Sequence, residues 1–96
     1  MASAHFYILA SQRNGTLYCG STTDLSRRIF EHKSFVRPGF TSRYGVVHIV
    51  YYEAYDRLID ARFREYKVKK WRRAWKIALI EAMNPHWDDL YDSLVS

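Results

Sequence analysis

Ninety-six residues, 48% hydrophobic, 17% aromatic and 26% charged, suffice for one compact domain, expected to span 1–96. They exclude a disordered chain, which would lack the aromatics and branched aliphatics. No apolar run approaches the ~18–20 residues of a membrane span. A single cysteine, Cys19, excludes an internal disulfide framework and a multi-cysteine zinc cage. The N-terminal residues lack a basic region followed by a long apolar one, so a secretory signal is not expected and the expected compartment is cytoplasmic. The net charge of +5 is unevenly spread. All fifteen Lys and Arg lie between Arg13 and Lys76 with only six acids, a balance of +9. The segment from Ile77 to Ser96 carries Glu81, Asp88, Asp89 and Asp92 and no Lys or Arg, a balance of −4. A basic body of this kind fits a polyanionic partner, nucleic acid being the commonest.

Along the chain, His5 to Ser11 reads as a strand rich in aromatic and branched residues, and Thr16 to Ser21 as a second. Asn14-Gly15 between them is a strong hairpin signal for a type I′ turn, with two positive φ values. That register sets Leu9 opposite Gly20 and groups Phe6, Ile8, Ala10, Leu17 and Cys19 on one apolar face meant for the core. Tyr7 and Tyr18 share the other, less apolar face. Thr22 or Thr23 can cap a helix running to about Lys33, with Asp24 in its first turn. Ser34 to Gly45, broken by Pro38-Gly39, is loop. Val46 to Tyr52 is a third strand. Asp56 can cap a long helix to about Lys70. Ala74 to Met83 is apolar around most of its circumference and reads as a buried helix, ended by Asn84-Pro85. Asp88 to Leu94 forms a short last helix. The expected class is α+β, a small three-stranded antiparallel sheet flanked by helices.

Two helices carry residues that need a reason. Arg28 and His32 are four apart on one face of the first helix, close to the tyrosine-bearing end of the hairpin, while Arg27 and Glu31 point elsewhere. On the long helix, counted from Leu58, Ala61, Glu65 and Val68 fall at about 300°, 340° and 280°. Glu65 thus lies on the core-facing stripe, where an unpaired charge is costly. Either a cation pairs with it, Arg62 and Lys69 being available, or it holds a metal.

The segments Tyr7-Ile8-Leu9, Asn14-Gly15-Thr16-Leu17-Tyr18-Cys19-Gly20-Ser21 and Asp24-Leu25-x-x-Arg28-x-x-x-His32 resemble the GIY-YIG nuclease superfamily. That group includes homing endonucleases, the N-terminal nuclease domain of the excision-repair protein UvrC and small stand-alone bacterial proteins. The likeness to the stand-alone group runs from Phe6 to about Tyr91, through Phe40-Thr41-x-x-Tyr44-Gly45, Val50-Tyr51-Tyr52-Glu53, Arg64-Glu65, Lys70-Trp71-Arg72-Arg73 and Asn84-Pro85. The resemblance implies catalytic roles for Tyr7, Tyr18, Arg28, His32 and Glu65, with Gly20 as the motif glycine, Glu65 as metal ligand and Asn84 as active-site support. The sequence departs from the pattern at His5-Phe6-Tyr7, at Cys19, and at Ser21, where some members have a lysine.

The implied reaction is divalent-metal-dependent hydrolysis of phosphodiester bonds in DNA, directed by structure rather than sequence, with DNA repair as the setting of its UvrC-like relatives. One carboxylate would hold Mg²⁺ (or Mn²⁺), Arg28 would clamp the phosphate, a tyrosine would orient or deprotonate the water and His32 would polarise or relay. Gly20, Arg43, Lys69, Lys70, Arg72 and Arg73 are expected to contact nucleic acid. The expected state is a monomer or weak homodimer with no membrane partner. Competing readings are a non-catalytic nucleic-acid-binding module on the same fold, and an interaction subunit whose acidic tail docks a partner or mimics nucleic acid. The plainer role for the tail is packing through Trp87, Leu90 and Leu94. Trp71 and Trp75 are likewise read as core, Cys19 as an inert buried thiol, and His48 and His86 as structural.

Overall fold

A computed structural model describes residues 3–34 and 44–95. Three antiparallel strands, β1 (Ala4–Ala10), β2 (Leu17–Thr22) and β3 (His48–Tyr55), form one sheet in the order β2-β1-β3. Helix α1 (Leu25–Lys33) follows β2; α2 (Leu58–Lys69), α3 (Arg73–Met83) and the short α4 (Tyr91–Val95) follow β3. The α+β class read from the sequence is the class observed. Among the described residues no helix is long and apolar enough to cross a membrane.

The central strand explains the architecture. β1 is buried at almost every position, Phe6, Ile8, Leu9 and Ala10 completely. One sheet face, carrying Phe6, Ile8, Ala10 and Cys19, packs against Val68 of α2, Ile80 of α3 and Trp87. The opposite face, carrying Tyr7 and Leu9, packs against Leu25 and Ile29 of α1 with Val46 and Ile49, and is flanked by Leu90, Tyr91 and Leu94. The less apolar face is therefore also a core face. Tyr7 is covered there by a helix, while Tyr18 packs at the margin of the cluster, partly buried.

The hairpin differs from the expected type I′ turn. Its register sets Tyr7, not Leu9, opposite Gly20. Ser11 N–H donates to the Thr16 carbonyl at 3.0 Å, and Ser11 Oγ accepts from Thr16 N–H, so the loop is Gln12 to Gly15. Within it only Asn14 takes a positive φ, 59°. The slip is two residues. Because side chains alternate with period two, the grouping of faces survives it while the cross-strand partners change.

A bulge in β3 turns the third strand. Ile8 pairs with Tyr51 but Leu9 with Ile49, leaving Val50 as the extra residue. Val50 and Tyr51 consequently both pack on the α2 side, while Ile49 reaches the α1 side. The Val50 carbonyl accepts from Asn84 Nδ2 at 3.1 Å, and the same amide group donates to the Asp88 carbonyl while Oδ1 accepts from the Asp88 N–H. Asn84 thus ties the end of α3 to the bulge and to Asp88, the residue after Trp87.

Helix ends depart from expectation in two places. Asp24 itself caps α1, accepting from Arg27 N–H, and Thr22 supports it by accepting from Asp24 N–H. Helix α2 starts after Arg57 with no side-chain cap, so Asp56 does not serve. Helix α3 is not buried all round: Ile80 is, but Trp75 and Met83 are exposed. So small a domain has too little protein to cover a third helix on all sides. The acidic C-terminal segment belongs to the fold. Asp89 pairs with Lys33, accepts from Ile49 N–H at 3.2 Å and contacts His48, and Leu90 N–H donates to the Ile49 carbonyl.

Candidate active site

Helix α1 turns Leu25 and Ile29 into the core, and the same stripe carries Arg28 and His32. The stripe lies over the sheet where Tyr7 and Gly20 face each other. The Tyr7 ring fills the space a side chain at 20 would occupy: a Cβ there would come within 2.5 Å of the phenol oxygen. So placed, the Tyr7 hydroxyl hydrogen-bonds His32 Nε2 at 3.2 Å. Tyr18 completes the group, its ring 5.6 Å from that of His32 and 6.5 Å from that of Tyr7.

Tyr7 is only 2% exposed, whereas Tyr18 is half-buried. Burial, followed by the neighbouring Tyr18, pushes the Tyr7 phenol well above its usual range. The Arg28 guanidinium pulls it down and Glu65 adds to the rise. Tyr7 therefore feels both the arginine of α1 and the glutamate of α2, which approach the hairpin from opposite sides of the sheet.

Glu65 arrives beside the residue after Gly20. Ser21 Oγ donates to its Oε1 at 2.5 Å, and Lys69, one turn further along α2, pairs with Oε2 at 2.6 Å. The hydrogen bond to Glu65 raises the Lys69 ammonium above its usual value. Of the two local cations available to this carboxylate, it is Lys69 that pairs with it. Ser21 was visible in the sequence only as a departure from a lysine pattern. Its bond to Glu65 depends on β2 alternation and on α2 crossing that edge strand, which no local signal reveals.

The donor set fits a weakly held hard cation. Glu65 offers carboxylate oxygen beside the Ser21 hydroxyl, the ligand type of Mg²⁺ or Mn²⁺, and one carboxylate leaves such an ion most of its waters. Among the described residues no group of three or more His, Cys, Asp or Glu could hold a metal outright. Lys69 is the competing cation at Oε2.

Arg28 borders a polar cleft of about 270 Å³ lined by Thr22, Thr23, Asp24, Arg27 and Glu31. Contrary to the expectation that they point away, Glu31 lies within 3.9 Å of Arg28 and 3.7 Å of Arg27. Each cation of the basic run is exposed and has a local contact. Lys69 faces Glu65, Lys70 lies over the Tyr66 ring, Arg72 over the Trp75 ring, and Arg73 donates to the Asn14 and Gly15 carbonyls, pinning the hairpin loop. Arg43 and the Phe40-Thr41 motif lie outside the described residues. Asn84, expected as site support, uses its amide in the bulge clamp described above.

A second charged cluster supports the site from behind. Arg64 grips Glu53 with two hydrogen bonds of 3.0 Å, and Tyr51 and Tyr55 donate to the same carboxylate. Burial works to raise Glu53, but the bonds from Arg64, Tyr51 and Tyr55 outweigh it and hold the carboxyl below its usual range. This network locks the face of α2 next to Glu65 onto β3.

Residues 3–78 match the model of the GIY-YIG catalytic domain. The chain is 32% identical over 78 residues to UPF0213 proteins of Staphylococcus aureus strains Mu3 and Mu50, a span that is 81% of this chain and 95% of each relative. It also superposes on the solution structure of the UPF0213 protein BH0048 from Bacillus halodurans with a TM-score of 0.54 and 28% identity, covering 90% of this chain and 92% of the other. The tyrosine–glycine hairpin, the Arg28–His32 helix and Glu65 fall within the matched residues, and the chain belongs to the GIY-YIG family of nuclease domains.

Proposed function

We propose that this single domain is a divalent-metal-dependent endonuclease that hydrolyses phosphodiester bonds in DNA, recognising structure rather than sequence. The observation carrying this reading is the phenol–imidazole pair Tyr7–His32 beside a second phenol, with Arg28 one turn before His32 on α1 and Glu65 bonded to Ser21, the residue after Gly20. Family membership makes nucleic acid the substrate class, and the basic body supplies salt-dependent affinity for it. Base-sequence reading takes several base-edge contacts from a dedicated element. The described residues form no element beyond the nuclease fold.

In this reading Arg28 holds the scissile phosphate and balances the charge that builds on its oxygens. Tyr18, the more accessible phenol, orients the attacking water. As the water oxygen bonds to phosphorus, the water's proton passes to His32, whose ring Tyr7 holds in place, and the bond to the 3′ oxygen breaks, that oxygen leaving as a hydroxyl with a proton taken from solvent. Glu65 is the residue that would hold a divalent ion, which when bound supplies further charge neutralisation at the phosphate. Ser21 fixes the orientation of the carboxylate.

The test is cleavage of plasmid and branched DNA across a Mg²⁺ or Mn²⁺ titration by the wild type, Glu65→Ala and Arg28→Ala. Cutting by the wild type, lost in both variants with binding retained, supports the enzyme. Intact binding with no cutting on any substrate establishes instead a binding module on a nuclease fold.

A further inference from the structure

The outward face of α2 has an unusual composition. Ile59, Phe63 and Tyr66 are 65%, 59% and 59% exposed. On the helical wheel they span about 80° to 140°, interleaved with Arg62, Lys70 and Lys67 at about 40°, 120° and 180°. All six are exposed. The acid bordering this arc, Asp60, is paired with Arg57. Two of the cations lie on ring faces: Lys67 Nζ is 4.5 Å from the Phe63 centroid, and Lys70 Nζ is 4.0 Å from that of Tyr66.

Single exposed apolar side chains are ordinary, but three in a stripe on one helix mark a contact surface. Charge decides among occupants. A second copy docking through this face would bring one set of Arg62, Lys67 and Lys70 against the other, and like charges so placed repel. A nucleic-acid strand offers what both residue classes need, flat bases for the rings and phosphates for the cations. In a duplex the base faces are stacked inside, so the rings can be used only by unpaired nucleotides.

We propose that the outer face of α2 is a docking surface for an unpaired DNA strand, with Phe63 and Tyr66 stacking on bases and Arg62, Lys67 and Lys70 on phosphates. The choice of DNA rests on the nuclease reading above. Arg62, at about 40°, lies on the wheel between Tyr66 at about 80° and Glu65 at about 340°, so a strand leaving the ridge past Arg62 runs toward the edge of α2 that carries the Glu65 carboxylate. The surface thereby favours substrates with a single-stranded flank beside the cut.

The experiment is fluorescence anisotropy in EDTA, where no cutting occurs, with a thymidine oligomer of about 15 nucleotides, the uridine RNA of equal length and a blunt duplex. Phe63→Ala/Tyr66→Ala is expected to weaken single-stranded DNA binding about tenfold or more. Duplex affinity should stay within about twofold, since phosphate contacts carry it. Tyr66→Phe should bind as the wild type does. Both residues are exposed, and circular dichroism checks the fold of each variant. Unchanged single-strand affinity, equal losses on duplex and single strand, tighter binding of RNA than DNA, or a wild-type dimer that the double variant converts to monomer in sedimentation would each overturn the proposal. Binding is read without metal or cleavage. Failure of the nuclease reading, seen as no cutting with this discrimination intact, is therefore distinct from failure of the ridge.

Discussion

The Tyr7 ring lies across the backbone of Gly20, so close that a methyl group at position 20 would come within 2.5 Å of both the phenol carbon and its oxygen. Glycine stands here because a side chain would evict the phenol, and the positive-φ freedom of glycine is not what the position uses. Gly20→Ala should cost about 1–3 kcal/mol by overpacking and break the Tyr7–His32 bond. Urea denaturation gives the first quantity. Cleavage under conditions where the variant remains folded gives the second, expected to fall well below that of the wild type.

Burial and Tyr18 keep the Tyr7 phenol protonated far into the alkaline range. Tyr7 therefore carries no ionisation near neutrality, and Tyr7→Phe should lower the cleavage rate while leaving the shape of its pH profile between pH 6 and about 9 unchanged. A profile whose alkaline limb disappears in Tyr7→Phe would assign Tyr7 the ionising role instead.

Lys69 holds one oxygen of the carboxylate proposed as metal ligand. Lys69→Met removes the competing cation and should lower the Mg²⁺ concentration needed for half-maximal cleavage by about 2–5-fold, the worth of a half-exposed ion pair. Lys69→Arg should leave that requirement near the wild-type value. Direct Mn²⁺ binding by calorimetry checks the same shift without DNA.

Glu53 titrates below its ordinary value of 4.5 in the folded chain. A depressed carboxyl stabilises fully above its unfolded pKa, and that contribution is lost as pH falls through the lower folded value. Stability should thus decline with acidification from about pH 4.5 downward, and Glu53→Gln should flatten this limb. At neutral pH, Arg64→Ala, which leaves Glu53 with its two tyrosines, should cost about 2 kcal/mol in urea denaturation.

Much of this protein follows from local chemistry. Alternation assigned the hairpin faces correctly, because a register error of two residues preserves parity. The helical wheel singled out Glu65 from its neighbours Ala61 and Val68, both of which are fully buried. The spacing of Arg28 and His32 set them on the stripe of α1 that also carries Ile29. The packing of Trp87, Leu90 and Leu94 was readable from their apolar character beside Pro85.

Pairings between distant segments were not readable. That Tyr7 opposes Gly20 depends on a loop in which Ser11 supplies the bond a tighter turn would have made in the backbone. That Ser21 and Lys69 share Glu65, and that Asn84 serves a bulge at Val50, depends on where α2 and α3 cross the sheet. Residue type and period set which way each side chain points along its own element. The long-range packing of elements decides what it meets there, and neither a hydrogen bond between residues 44 positions apart nor the exposure of Trp75 leaves a trace in the neighbouring sequence.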